Sequence, residues 1–348
     1  MHVVRHVSYH CTVVSPASRF FHDSRTLREQ GARKGFQGYH EWAQVWEKVR
    51  QEVRVGIIEL LKAALFGLVE GITEWLPISS TGHMLLLDQF VVLDVSPSFW
   101  TMFLVVIQLG AILAVVVLYF GRLNPFSRKK DAEERMSTWL LWAKIIVACI
   151  PAAAVGVPLD DWMDDHLSDP LIIAAALIVY GIVFIVLESR RNARAERVPA
   201  GRHVRASDAD ALATTTSLDG LSWKTAVGIG LFQILSLVPG TSRSGSTIIG
   251  GLALGCSRPV AAEFTFFLAI PVMFGASLLR LVKYFIGGNG FVAREFAILG
   301  VGCAVAFVVS LIAIKFLVGF VRKHDFRPFG VYRILLGIAV IAYFSLAR

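Results

Sequence analysis

The chain has 348 residues, 55% of them hydrophobic and 17% charged, with a formal net charge of +8 and a mean hydropathy of +0.62. A water-facing globule carries about 25% charged residues, so an ordinary soluble two-domain protein is excluded. The apolar residues come in long blocks with Lys and Arg in the loops between them, which describes a polytopic helical membrane protein and argues against a nucleic-acid partner.

Residues 1–55 are polar and mixed in charge, and Val13-Val14, the start of an apolar run, is cut off at once by Ser15-Pro16. The expectation is a poorly ordered N-terminal extension with no signal peptide, followed by a membrane-embedded region over 56–348. Apolar blocks run over roughly 57–76, 84–95, 99–120, 138–158, 171–188, 223–238, 246–256, 261–286, 296–321 and 330–346. Several approach the ~20 residues needed to cross a hydrocarbon core. Blocks 84–95 and 246–256 are too short, and their Gly/Pro/Ser-rich flanks predict re-entrant or broken helices. Cys11, Cys149, Cys256 and Cys303 lack metal-site or disulfide spacing.

A constant shift of 163 residues lays Gly67-Leu68 on Gly230-Leu231, Glu70 on Gln233, Ser79 on Ser242 and Gly82 on Gly245. Two repeats follow, about 57–188 and 223–348, joined by a linker at about 189–222. Loop 121–137 is basic and its counterpart 284–300 is not, while 159–170 is acidic and its counterpart 322–333 is basic, counting Arg333. The positive-inside rule then puts 121–137, 189–222 and 322–333 in the cytoplasm and 159–170 and 284–300 outside. The predicted fold is all-α, with inverted-topology repeats and two re-entrant or broken segments meeting near the membrane midplane. On this count the first break returns to the outer side, the second to the cytoplasm, and the N-terminal extension sits outside, against the charge rule.

The first break reads Glu70-Gly71-Ile72-Thr73-Glu74-Trp75-Leu76-Pro77-Ile78-Ser79-Ser80-Thr81-Gly82-His83. Glu70 and Glu74, at i and i+4, share a helix face, and two ionised carboxylates inside a membrane need compensation. A hard cation, Mg²⁺ or Ca²⁺, would supply it, with a diphosphate completing the coordination shell; protonation or a capping role is the plainer reading. Pro77 ends the helix, and Ser79, Ser80 and Thr81 offer hydroxyls and backbone donors in a turn that Gly82 bends, although turn and cap residues alone explain most of them. His83 suits a general base, nucleophile or acid, or a hydrogen-bonded structural histidine.

The second break reads Pro239-Gly240-Thr241-Ser242-Arg243-Ser244-Gly245-Ser246-Thr247. Arg243 keeps its proton and needs an anion, either a phosphate gripped by its planar fork or a carboxylate of Glu70 or Glu74. Gly240, Ser242, Ser244 and Thr247 can form a phosphate cradle at the following helix start. Gln233, overlying Glu70, suggests a neutral hydrogen-bonding role. Glu263, Lys144 and Lys283 lie near span ends, where such side chains snorkel.

Glu-x-x-x-Glu with Pro-Ile-Ser-Ser-Thr-Gly-His, and Pro-Gly-Thr-Ser-Arg-Ser-Gly-x-Thr some 160 residues later, resembles the undecaprenyl-diphosphatase family, also called the bacitracin-resistance (BacA/UppP) family, over about 57–346. The resemblance implies a multi-pass enzyme of the bacterial plasma (inner) membrane. Such an enzyme hydrolyses undecaprenyl diphosphate to undecaprenyl phosphate and inorganic phosphate, recycling the lipid carrier for the cell wall and conferring bacitracin resistance. It implies divalent-cation dependence, a site open to the outer face, and site positions at Glu70, Glu74, Ser80, His83, Ser242, Arg243 and Thr247, with nucleophile and metal left open. The expected partner is a polyprenyl diphosphate, and a homodimer is compatible with the sequence. A polyprenyl-phosphate transporter or flippase in the same inverted-repeat cavity is the alternative. A lipid phosphatase of the acid-phosphatase superfamily is disfavoured, since its accompanying Lys/Arg and His–Asp elements are missing.

Overall fold

The computed structural model describes residues 37–197 and 209–346, in which every regular element is a helix. In chain order these are α1 (Gln37–Thr73), α2 (Ser80–Asp88), α3 (Pro97–Val106), α4 (Gln108–Leu118), α5 (Phe120–Leu123), α6 (Ala132–Leu167), α7 (Pro170–Glu196), α8 (Trp223–Ile234), α9 (Arg243–Ala253), α10 (Arg258–Ile286), α11 (Ala293–Val321) and α12 (Arg327–Leu346). Six segments are long and apolar enough to cross a membrane: Pro97–Leu118, α6, α7, α10, α11 and α12. Large apolar side chains such as Ile150, Ile182, Phe274, Ile312 and Ile338 point outward from them, as lipid contact requires. The all-α polytopic class is therefore the observed one.

Polar residues set where helices begin. Ser96, Asp131, Asp169 and Ser222 cap the helices that follow by accepting main-chain N–H bonds, and Asp131 does so in a capping box with Glu134. Small residues set how closely helices pack. A Cβ on Gly67 would lie 2.4 Å from the Gly302 carbonyl oxygen, and one on Gly230 would lie 2.2 Å from that of Ala148. Backbone thus meets backbone at the α1–α11 and α8–α6 crossings, as is common where lipid supplies no hydrophobic drive between helices.

The loops fall into two connected sets. In one, Arg122 pairs with Glu263, Ser137 donates to Asp219, and Asn192 donates to Asp325, joining 121–137, the linker and 322–326. In the other, Arg280 and Lys283 pair with Asp160, Asp161 and Asp164, and Arg294 pairs with Asp94. α6 runs from the first set to the second, whereas its counterpart α11 runs back.

Four expectations are corrected. α1 begins at Gln37 rather than near 56, so 37–55 are helical; Cys11 and the remainder of 1–55 lie outside the described residues. α7 continues to Glu196, into the expected linker, because Glu188 and Arg191 are held in a buried ionic cluster with Arg258 and Asp210. Lys283 is ion-paired to Asp160 and Asp161, not snorkelling alone. Arg333 is not a loop cation: it lies inside α12 and is fully buried.

Candidate active site

The two breaks adopt the same local geometry. Ser79 and Ser242 are the non-glycine residues with positive φ among those described, at 74° and 72°. Each accepts the N–H three residues on, from Gly82 at 3.4 Å and from Gly245 at 3.2 Å, and so caps α2 and α9. Left-handed backbone at a serine costs free energy that the surroundings must offset. Arg333 supplies part of that compensation, its guanidinium donating to the carbonyls of Pro77 at 3.3 Å, Gly240 at 2.9 Å and Thr241 at 2.8 Å, directly upstream of the two serines.

The breaks meet at Glu74, buried one residue past α1. One carboxylate oxygen accepts from Arg243 Nη2 at 3.0 Å, the other from Ser80 Oγ at 2.9 Å. Arg243 Nη1 donates to the Thr265 carbonyl at 2.9 Å, and its guanidinium lies over the Trp75 ring at 5.8 Å. Of the two anions open to Arg243 in the sequence, the internal carboxylate holds it here. Ser244 Oγ donates to the Glu74 carbonyl at 3.0 Å, so the second break also grips the main chain of the first.

Glu70, Ser80 and Thr81 face a cavity of about 600 Å³ lined from α1, α2, α3, α4, α6, α7, α10 and the segment 236–239 that follows α8. Glu70 is 1% exposed, and its Oε1 has no hydrogen-bond partner in the protein; both amide atoms of Gln233 are likewise buried without one. The hydrogen-bonding role expected of Gln233 is thus not taken up by the chain itself, and Gln233 does not line the cavity. A buried carboxylate oxygen with no partner fits a hard cation. Among the described residues no three His, Cys, Asp or Glu side chains converge, so the fit is to a cation shared with substrate oxygens, not to a protein cage.

Other expected site residues are placed elsewhere. His83 does not line this cavity: Nδ1 donates to the Ser79 carbonyl at 2.7 Å, which leaves Nε2 to accept from the Tyr332 hydroxyl at 2.8 Å, and the two rings stack. Ser79 and Ser242 spend their hydroxyls as caps, and Thr247 Oγ1 donates to the Arg243 carbonyl at 2.9 Å. Gly240, at φ 91°, lies against the Ile173 carbonyl. The hydroxyl cradle expected in the second break is therefore mostly turned inward, since a polar turn packed in an apolar interior must satisfy its own backbone. Arg333, Tyr332 and Thr265 join the site without belonging to either sequence motif. An arginine inside apolar block 330–346 was the one available signal; Thr265 and Tyr332 had none.

The family model described as "Bacitracin resistance protein BacA" matches residues 63–339. The undecaprenyl-diphosphatase of Lactiplantibacillus plantarum is 50% identical over 290 residues, covering 83% of this chain and 99% of that protein. Those of Streptococcus thermophilus and Enterococcus faecalis are 54% and 52% identical over 287 and 284 residues, each covering 82% of this chain and 94% and 97% of theirs.

Proposed function

We propose that this chain, which belongs to the bacitracin resistance protein BacA family, is a multi-pass membrane undecaprenyl-diphosphatase that releases inorganic phosphate from undecaprenyl diphosphate and returns the monophosphate carrier to cell-wall synthesis. The observation that carries the reading is the Glu74 carboxylate, shared between Ser80 of one break and Arg243 of the other. A hydroxyl poised on a carboxylate, next to a permanent cation, is what phosphoryl transfer from an anhydride needs.

The structure favours Ser80 over His83 as nucleophile, because Ser80 faces the cavity and both His83 nitrogens are engaged elsewhere. The Ser80 oxygen bonds to the terminal phosphorus as the bridging P–O bond breaks. Its proton passes to Glu74, and the prenyl monophosphate departs. Water then cleaves the phosphoserine: Glu74 returns its proton to the departing serine oxygen, and the proton that water gives up leaves with the inorganic phosphate. Arg243 exchanges Glu74 for the phosphate oxygens when the diphosphate enters, with its fork matched to two of them. Glu70, Glu74 and substrate oxygens would hold Mg²⁺ or Ca²⁺, which supplies charge neutralisation at the diphosphate.

The repeats take inverted topology in the bacterial plasma membrane, with the cavity open to the outer face and the C55 chain between helices. The test is phosphate release from undecaprenyl diphosphate by purified protein, with Mg²⁺, with Ca²⁺ and with chelator, beside Glu74→Gln and Arg243→Ala. Release should need the cation and fall by ~10³-fold or more in both variants, about 4 kcal/mol of transition-state stabilisation. Wild-type protein that binds the lipid yet releases no phosphate would overturn the reading in favour of a polyprenyl-phosphate transporter.

A further inference from the structure

The cavity that holds Glu70 and Ser80 has a second polar region, formed by Asp88, Asp164 and Arg280. Among the described residues lining it, Arg280 is the one cation, against three carboxylates. Arg280 stands on α10 fifteen residues after Thr265, whose carbonyl takes Arg243 Nη1. At 1.5 Å of rise per residue, Thr265 and Arg280 are separated by roughly 20 Å along the helix. We propose that Arg280 is a second phosphate-binding station, which takes a phosphate dianion, free or as the headgroup of a prenyl monophosphate, on its way between the Glu74–Arg243 centre and the Asp164 end of the cavity.

The charge of the lining favours such a group. Hydrolysis leaves two anionic products in a channel where, with Glu70 committed to the cation, the remaining acidic lining groups are Asp88 and Asp164, and low-dielectric walls strengthen their repulsion of an anion. A guanidinium fork grips phosphate bidentately and cannot be neutralised by proton loss.

The resting partners of Arg280 suit exchange. Its Nη2 reaches Asp164 Oδ2 at 2.5 Å and Asp160 Oδ1 at 3.4 Å. The Asp164 side chain is 49% exposed against 17% for Arg280, so its end of the pair is wetted and screened and can return to water at little cost. If Arg280 turns to a phosphate, Asp164 returns to water and Asp160 keeps Lys283 at 2.8 Å, so no buried charge is stranded. The Arg258–Glu188 pair, 2% and 0% exposed, has no such freedom.

The proposal rests on the diphosphatase reading and is tested by product inhibition. Inorganic phosphate and detergent-dispersed undecaprenyl monophosphate are each titrated into the hydrolysis assay for wild type, Arg280→Gln and Asp164→Asn. Arg280→Gln should weaken inhibition by at least one of the two by about tenfold, the range of a charge-assisted contact. Asp164→Asn should strengthen the same inhibition, because it frees the guanidinium. The compound affected identifies the dianion handled: inorganic phosphate for a departing product, monophosphate for the lipid headgroup. A purely structural ion pair predicts that both variants act in the same direction. Equal inhibition of wild type and Arg280→Gln by both compounds would overturn the proposal. Failure of the diphosphatase reading is distinguishable, since wild type then releases no phosphate at all. In that event the rise in wild-type thermal midpoint with added inorganic phosphate or undecaprenyl monophosphate still tests Arg280; it should be lost in Arg280→Gln, and an unchanged rise rejects the station.

Discussion

Replacing Arg333 by Met separates the stability of the fold from the alignment of its two breaks. The guanidinium is fully buried and has no carboxylate partner among the described residues. Its two short bonds, to the carbonyls of Gly240 and Thr241, contribute about 1.5–3 kcal/mol each as charge-assisted contacts. Against them stands the several kcal/mol of desolvating an uncompensated cation, which Met does not incur. The terms offset to within about 2 kcal/mol, so Arg333→Met should fold and melt near the wild type. Nothing offsets the lost tether. Pro77, Gly240 and Thr241 carry the strained serines 79 and 242, and a shift of ~1 Å in the groups they position costs on the order of 10²-fold in rate. Phosphate release in detergent, measured beside a thermal melt, should show kcat/KM about 100-fold down with the melt little changed. A variant that folds and keeps kcat/KM within about threefold would refute the idea that Arg333 sets the register of the breaks.

Ser79 and Ser80 should part company despite being neighbours. Ser79→Ala removes a helix cap and about 1 kcal/mol of stability, whereas Ser80→Ala should reduce turnover by about 10³-fold or more; equal loss of turnover in both would count against Ser80 as nucleophile. Glu188→Gln leaves Arg258 buried beside a neutral partner and should cost about 3–5 kcal/mol, read from denaturant or thermal unfolding. Turnover per folded molecule should be unchanged, because among the described residues Glu188 pairs with Arg258 and Arg191 and accepts from the Phe326 N–H, away from the cavity.

Composition and block length alone determined that this chain is an all-α membrane protein, since ~20-residue apolar stretches with sparse charge have no other stable home. The 163-residue register likewise paired Ser79 with Ser242 and Gly82 with Gly245, residues that share one backbone conformation in the fold. Both properties are local or periodic, so they survive in one dimension. Which polar groups face the cavity was decided only in three dimensions. Ser80 and His83 lie three residues apart, yet one bonds Glu74 at the cavity and the other is drawn away by Tyr332, a residue 249 positions distant. The basic run ending at Arg333 served as a topology signal, but the fold carries that side chain inward to carbonyls of both breaks, because strained turns in an apolar interior must find their hydrogen-bond donors wherever the chain can deliver them.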